Sequence, residues 1–116
     1  NHGGAIINIS SILGTITRDS QLIYSASKAA LQMATRVAAR ELAPKNISVN
    51  AIAPGFVPTE LHGDLSDDQL RAAADMVGMG RVGSSAEVAE LAFYLSSPIA
   101  RYITGQIIGI DGGMRV

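Results

Sequence analysis

Three short apolar runs divide the chain, and each is followed by residues that favour turns. The runs cover residues 5–10, 47–53 and 106–110, and they are closed by two serines, a Pro-Gly pair and a Gly-Gly pair. Short, nearly continuous apolar runs between turn-forming residues are typical of strands that are covered on both faces of a sheet. The pattern therefore predicts three buried strands.

A helical periodicity fills the interval between the first two predicted strands. Small and apolar residues recur there every three or four positions over residues 21–43, and Pro44 stops the pattern. The recurring residues are Leu22, Ala26, Ala29, Ala30, Met33, Val37 and Leu42. Because small side chains allow a neighbouring element to approach closely, we interpret this helix face as core or as an interface with a second subunit.

At two places a serine is followed three residues later by Gln or Glu, which is the capping-box spacing of a helix start. These places are Ser66-Asp67-Asp68-Gln69 and Ser84-Ser85-Ala86-Glu87. They predict helices near residues 67–77 and 85–96. The resulting order of strand, helix, strand, two helices and strand implies parallel pairing, so the predicted fold class is α/β. Ligands of such sheets bind at the carboxyl ends of the strands.

Composition and charge narrow the classes of function. With 116 residues, 47% hydrophobic and 16% charged, the chain is one soluble globular domain or part of one, without the roughly 20 consecutive apolar residues of a membrane helix. Nine basic and ten acidic residues, with no run of one sign, argue against nucleic acid or a membrane as a partner. Without cysteine there is no disulfide framework, and we expect a cytoplasmic protein. His2 and His62 are isolated, so we expect both on the surface and no metal site.

The sequence Tyr24-Ser25-Ala26-Ser27-Lys28 places a phenol and an ammonium four residues apart, on one face near the start of the first predicted helix. A neighbouring ammonium favours the phenolate form of tyrosine, which suits acid/base catalysis near neutral pH. A serine at the end of the preceding strand, Ser10 or Ser11, could bond the same substrate oxygen. Helices also produce a Tyr-x-x-x-Lys spacing by accident, and strand-end serines are more often turn formers.

Further motifs stand in the same order along the whole chain. They are Gly4-Ala5-Ile6-Ile7-Asn8-Ile9-Ser10-Ser11, Tyr24-Ser25-Ala26-Ser27-Lys28, Val49-Asn50-Ala51-Ile52-Ala53-Pro54-Gly55 with Thr59, Arg81-Val82-Gly83, Glu87-Val88-Ala89, Tyr102-Ile103-Thr104-Gly105 and Ile110-Asp111-Gly112-Gly113. Together they resemble the classical short-chain dehydrogenase/reductase family, which includes 3-oxoacyl carrier-protein reductases. The resemblance implies the carboxyl-terminal half of a Rossmann-like, doubly wound parallel sheet. It also implies interconversion of a carbonyl and an alcohol with NAD or NADP.

The resemblance assigns roles to particular residues. Tyr24 is the general acid/base, Lys28 supports it and holds the ribose hydroxyls of the nicotinamide, and Ser11 orients the substrate carbonyl. Ser11 is chosen over Ser10 because its thirteen-residue distance from Tyr24 is similar to the spacing in the family. Asn50 and Asp111 are implied to be structural.

A second set of implied roles concerns residues 54–59. Pro54, Gly55, Val57 and Thr59 resemble a nicotinamide clamp, in which the Val57 backbone and the Thr59 hydroxyl meet the carboxamide. A Pro-Gly pair taken alone indicates only a turn. Its position after a buried strand favours the clamp.

The glycine-rich turn that binds the dinucleotide pyrophosphate in this family does not occur in the 116 residues. We therefore expect residues 1–116 to be the catalytic half of a domain whose dinucleotide-binding half lies on a longer polypeptide or another chain. A homodimer or homotetramer acting on a small carbonyl or alcohol substrate is implied. The competing hypothesis is a non-catalytic assembly module derived from the same fold.

Overall fold

The computed structural model describes residues 3–114, and it confirms the predicted α/β class. The strands are β1 (Gly4–Ile9), β2 (Ile47–Pro54) and β3 (Ile107–Ile110). The helices are α1 (Leu22–Leu42), α2 (Asp67–Asp75) and α3 (Ser85–Ser96). All six elements were expected from the sequence, and their ends differ from the predicted ones by at most two residues.

The three strands form a parallel sheet in the order β1-β2-β3. Ile6 lies opposite Val49, and Ala51 lies opposite Ile107. The long helix α1 packs against β2, whereas α3 packs against β1 and β2. Parallel strands put their carboxyl ends at one edge, so the segments that follow β1, β2 and β3 converge there.

Within residues 3–114, only the central strand is buried along most of its length. In β2, Val49 and Ile52 are almost completely inaccessible, whereas Ile6 and Ile9 of β1 are 43% and 48% exposed. The prediction of three buried strands is therefore wrong for β1 and β3. The reason is that, within residues 3–114, each of these two strands pairs on one side only.

The face of α1 that packs on the sheet is largely polar. Its buried residues are Gln32, Thr35 and Ala39, and the Thr35 hydroxyl accepts a hydrogen bond from the Asn8 side chain at 3.0 Å. Six of the seven small and apolar positions that recur along α1 are exposed, including Leu22 at 83%, and the seventh, Leu42, is half-buried. The core interpretation of that stripe is wrong, and the interface interpretation stays open.

The helices α2 and α3 begin at the predicted capping boxes. The Ser66 hydroxyl accepts from the Gln69 amide at 3.2 Å, while the Gln69 side chain accepts from the Ser66 amide at 2.9 Å. Ser84 and Glu87 make the same reciprocal pair. Within residues 3–114, no helix combines the length and the apolar character needed to cross a membrane.

Asn50 fixes the chain before β3, as expected for a structural residue. Its side chain is completely buried in β2, donates to the Ile103 carbonyl at 2.8 Å and accepts from the Gln106 amide at 3.0 Å. A buried amide that is satisfied in both directions holds a loop firmly, since an unpaired partner would cost free energy. This bond network sets the start of β3 beside β2.

Candidate active site

The carboxyl ends of the strands carry three of the seven predicted site residues, which are Ser11, Pro54 and Gly55. Ser10 and Ser11 follow β1, Pro54 ends β2 with Gly55 after it, and Asp111 follows β3. The Gly55 amide donates to the Ile110 carbonyl at 3.0 Å, which ties the end of β2 to β3. The sheet therefore brings these residues to one edge, as parallel pairing requires.

Tyr24 and Lys28 lie in the first two turns of α1 and face the same side. The Lys28 Nζ atom is 5.6 Å from the centroid of the Tyr24 ring, and the tyrosine is half-exposed. The same Nζ donates to the Ile9 carbonyl at the end of β1, at 3.1 Å. An ammonium has three donors. Because the ammonium makes one hydrogen bond within residues 3–114, two of its hydrogens are available to a ligand at this edge.

The two candidate serines make different bonds. The Ser10 hydroxyl donates to the Lys28 carbonyl and accepts from the Gln32 side chain, both at 3.2 Å. The Ser11 hydroxyl accepts from the Leu13 amide at 3.1 Å, and among residues 3–114 its own hydrogen has no acceptor. Ser11 is thus the serine with a free donor.

Gln32 links these elements, and the sequence analysis did not identify it. Its side chain is 4% exposed, and its Nε2 donates to the Ser10 hydroxyl and, at 3.0 Å, to the Ser11 carbonyl. Its Oε1 accepts from the Thr15 hydroxyl at 3.0 Å. Gln32 could have been identified from its position four residues after Lys28, because residues at this spacing lie on the same helix face. Gln32 therefore fixes the serine segment against α1.

Replacing Gln32 by leucine is expected to lower the free energy of unfolding by roughly 2–4 kcal/mol. The substitution removes three hydrogen bonds from a buried side chain and leaves the carbonyl of the buried Ser11 without its partner. Chemical denaturation measures the loss. The matched control is Gln69→Leu, at a glutamine whose bonds are exposed, and it is expected to cost about 1 kcal/mol or less. Equal losses in the two variants would contradict a clamping role for Gln32.

The segment after β2 is packed tightly against two glycine-containing loops. A Cβ on Gly55 would lie 2.9 Å from the Asp111 Cα, so this position has no room for a side chain. The Phe56 carbonyl accepts from the Gly83 amide at 3.0 Å, and a Cβ on Gly83 would lie 3.0 Å from the Val57 Cγ2. The Phe56 carbonyl and the Val57 side chain are thus packed against the loop that carries Gly83.

An ion pair fixes the loop that carries Gly83. Arg81 donates to both carboxylate oxygens of Glu87, at 2.6 and 3.1 Å, and the Ser84 amide donates to Glu87 at 2.9 Å. The bond from Arg81, followed by those from Ser84, lowers the pKa of the Glu87 carboxyl to about 2. The same pairing raises the pKa of Arg81. Both groups are therefore charged at neutral pH.

A cleft of about 420 Å³ lies beside this loop. Phe56, Arg81, Glu87 and Asp111 are among the residues that line it. Ser11, Tyr24 and Lys28 do not line it, and of residues 54–59 only Phe56 does.

Thr59 is hydrogen-bonded to His62. Its amide donates to His62 Nδ1 at 3.1 Å, and its hydroxyl oxygen is also 3.1 Å from that nitrogen. His62 is exposed, as expected, but it is not isolated from the predicted site. His2 lies outside the described residues. Among residues 3–114 there is no group of three or more His, Cys, Asp or Glu side chains that could hold a metal ion.

The family model described as enoyl-(acyl carrier protein) reductase matches residues 1–115. The chain is 43% identical over 111 residues to the 3-oxoacyl-(acyl-carrier-protein) reductase FabG of Aquifex aeolicus, covering 96% of this chain and 45% of the relative. It is 45% identical to carbonyl reductase family member 4 of Danio rerio, covering 100% of this chain and 47% of the relative.

Solved structures agree with the sequence comparisons. A short-chain dehydrogenase/reductase of Serratia marcescens, in a double mutant with two phenylalanines changed to tyrosine, superposes with a TM-score of 0.90 at 37% identity, covering 100% of this chain and 47% of that one. The corresponding double leucine mutant gives a TM-score of 0.88 at 38% identity, with coverages of 97% and 46%. The chain spans about half the length of the curated relatives that it matches. With a match over nearly all of its residues and a shared Rossmann-like fold, the chain belongs to the short-chain dehydrogenase/reductase family.

Proposed function

We propose that the chain supplies the catalytic half of an NAD(P)-dependent oxidoreductase that interconverts a carbonyl and an alcohol. The observation that carries this proposal is the position of Lys28 Nζ, which lies 5.6 Å from the Tyr24 ring while bonded to the end of β1. Ser11, whose hydroxyl has a free donor, lies two residues after the same strand end. An acid/base, a supporting cation and a second donor are the groups that proton transfer to an oxygen needs.

The residues present fit the nicotinamide end of such a cofactor. Lys28 offers two ammonium hydrogens to vicinal ribose hydroxyls, and the missing side chain of Gly55 lets the segment that carries Val57 and Thr59 lie directly against Asp111. Val57 and Thr59, which follow Pro54 along the chain, would contact the carboxamide. Bound NAD or NADP would supply the hydride chemistry, whereas these residues bind and orient it.

Proton transfer is assigned to Tyr24. In the direction of reduction, the phenol O–H bond breaks and the proton passes to the substrate oxygen. The Lys28 ammonium stabilises the phenolate that remains, because an opposite charge nearby favours the ionised form. The Ser11 hydroxyl donates to the same substrate oxygen and stabilises the charge that develops on it.

A homodimer or homotetramer is part of the proposal. It is supported by the small and apolar stripe of α1, where Leu22 and Met33 are 83% and 56% exposed. An exposed stripe of this kind favours close helix packing with a second copy.

Replacing Lys28 by methionine is expected to weaken binding of NADH and NADPH by about 10–100-fold, because bonds from a charged donor are lost. Fluorescence titration measures the dissociation constant for the full-length polypeptide, or for this chain mixed with the amino-terminal half of a relative. Lys45→Met is the matched control, since Lys45 is the other lysine and lies exposed in the turn after α1. Absence of nicotinamide binding in every form would favour the non-catalytic assembly module.

A further inference from the structure

The short turn Glu60–His62 folds His62 back onto Thr59, so that one residue contacts three polar groups of the other. The His62 amide donates to the Thr59 carbonyl at 2.9 Å. The Thr59 amide donates to His62 Nδ1 at 3.1 Å, and the Thr59 Oγ1 lies 3.1 Å from the same ring nitrogen. Thr59 is therefore held along its backbone and at its hydroxyl.

The ring of His62 is itself held in place. Its centroid is 5.3 Å from that of Phe56, with the two rings tilted at 52°. The centroid distance lies within the range of interacting aromatic pairs, and the tilt is intermediate between stacked and edge-to-face geometry. Because Nδ1 accepts the Thr59 amide, the ring hydrogen of the neutral imidazole lies on Nε2. A ring with a fixed orientation and a fixed acceptor can set the rotamer of the threonine beside it.

We infer that His62 is a positioning residue for the nicotinamide cofactor and acts through the hydroxyl of Thr59. The inference rests on the proposed function, in which that hydroxyl meets the carboxamide. A side chain whose rotamer is already set loses less conformational entropy when a ligand binds. Loss of the Nδ1 acceptor should therefore weaken the cofactor contact and leave the chemical step, which belongs to Tyr24, unchanged.

The test compares two substitutions in the full-length polypeptide. His62→Phe keeps a ring against Phe56 but has no acceptor, whereas His62→Asn places an amide oxygen near the position of Nδ1. Steady-state kinetics with NADH or NADPH should show a roughly two- to tenfold higher KM for the cofactor in H62F, with kcat unchanged. H62N should return KM toward the wild-type value. An unchanged KM in H62F would overturn the inference, and so would a lowered one.

A double-mutant cycle with Thr59→Val separates this role from a structural one. If His62 acts through the Thr59 hydroxyl, H62F raises KM no further in the T59V background. Independent, additive effects would overturn the inference and assign His62 to the turn alone. If T59V raises KM but H62F leaves KM unchanged in the wild-type background, only the role of His62 is overturned. No effect of T59V overturns the assignment of Thr59 to the cofactor site and the inference with it.

Discussion

Replacing Tyr24 by phenylalanine is expected to lower kcat by about 10²–10⁴-fold, the usual contribution of a positioned general acid or base. The substitution removes a single oxygen and keeps the ring that lies 5.6 Å from Lys28 Nζ. Because Tyr24 is half-exposed at the start of α1, the substitution is expected to change the free energy of unfolding little. In the proposed function, the remaining rate comes from the orientation of the substrate and from the hydrogen bond that Ser11 would still donate to its oxygen.

Initial rates of carbonyl reduction at saturating cofactor and substrate measure the effect on the chemical step. Tyr102→Phe is the matched control, because its side chain is fully exposed in the loop before β3 and should not affect turnover. Unfolding curves of both variants show whether any loss of rate comes from lost structure. Near-normal turnover in Y24F would remove the acid/base role from this residue.

The elements of the fold could be predicted because their signals are local. The apolar runs, Pro44 and the two capping boxes each act over a few residues, and they predicted the strands and helices to within two residues. Burial could not be predicted in the same way, because it depends on neighbours. A continuous apolar run describes β1 and β2 equally well, yet only β2 has a strand on each side in the described chain.

The orientation of α1 shows why periodicity alone does not predict which face of a helix packs against the sheet. The repeat of small and apolar residues identified a stripe, but the sheet packs against a different, polar face of the helix. That face suits the sheet because Thr35 pairs with Asn8, and Gln32 pairs with Ser10 and Ser11. These partners are 21 to 27 residues apart, so no local pattern records them.

In the candidate site, too, the features that depend on local spacing could be predicted, whereas those that depend on distant partners could not. The spacing of Tyr24 and Lys28 within one helix predicted that they face the same side, and they do. The bonds that distinguish Ser10 from Ser11 are made to Lys28, Gln32 and Leu13, and the residues alone did not predict them. His62 follows Thr59 at capping-box spacing, but a histidine replaces the usual Glu or Gln at that position.

Replacing Ser11 by alanine is expected to lower kcat by about 10²–10³-fold, whereas replacing Ser10 by alanine should leave kcat close to the wild-type value. The first figure is typical for the loss of one donor to a developing oxyanion. It applies to Ser11 because its hydroxyl hydrogen has no acceptor in the described part of the chain. The Ser10 hydrogen is already donated to the Lys28 carbonyl, so it has nothing to offer a substrate.

The adjacent serine is also the control for stability. Ser10→Ala removes two hydrogen bonds, and Ser11→Ala removes the one that its oxygen accepts from the Leu13 amide. Each change costs about 1–2 kcal/mol, and because S10A loses two bonds and S11A loses one, S10A is expected to be destabilised at least as much as S11A. A fall in kcat that is confined to S11A therefore reports a lost contact to the reacting oxygen. Equal falls in both variants, or a fall only in S10A, would contradict the choice of Ser11.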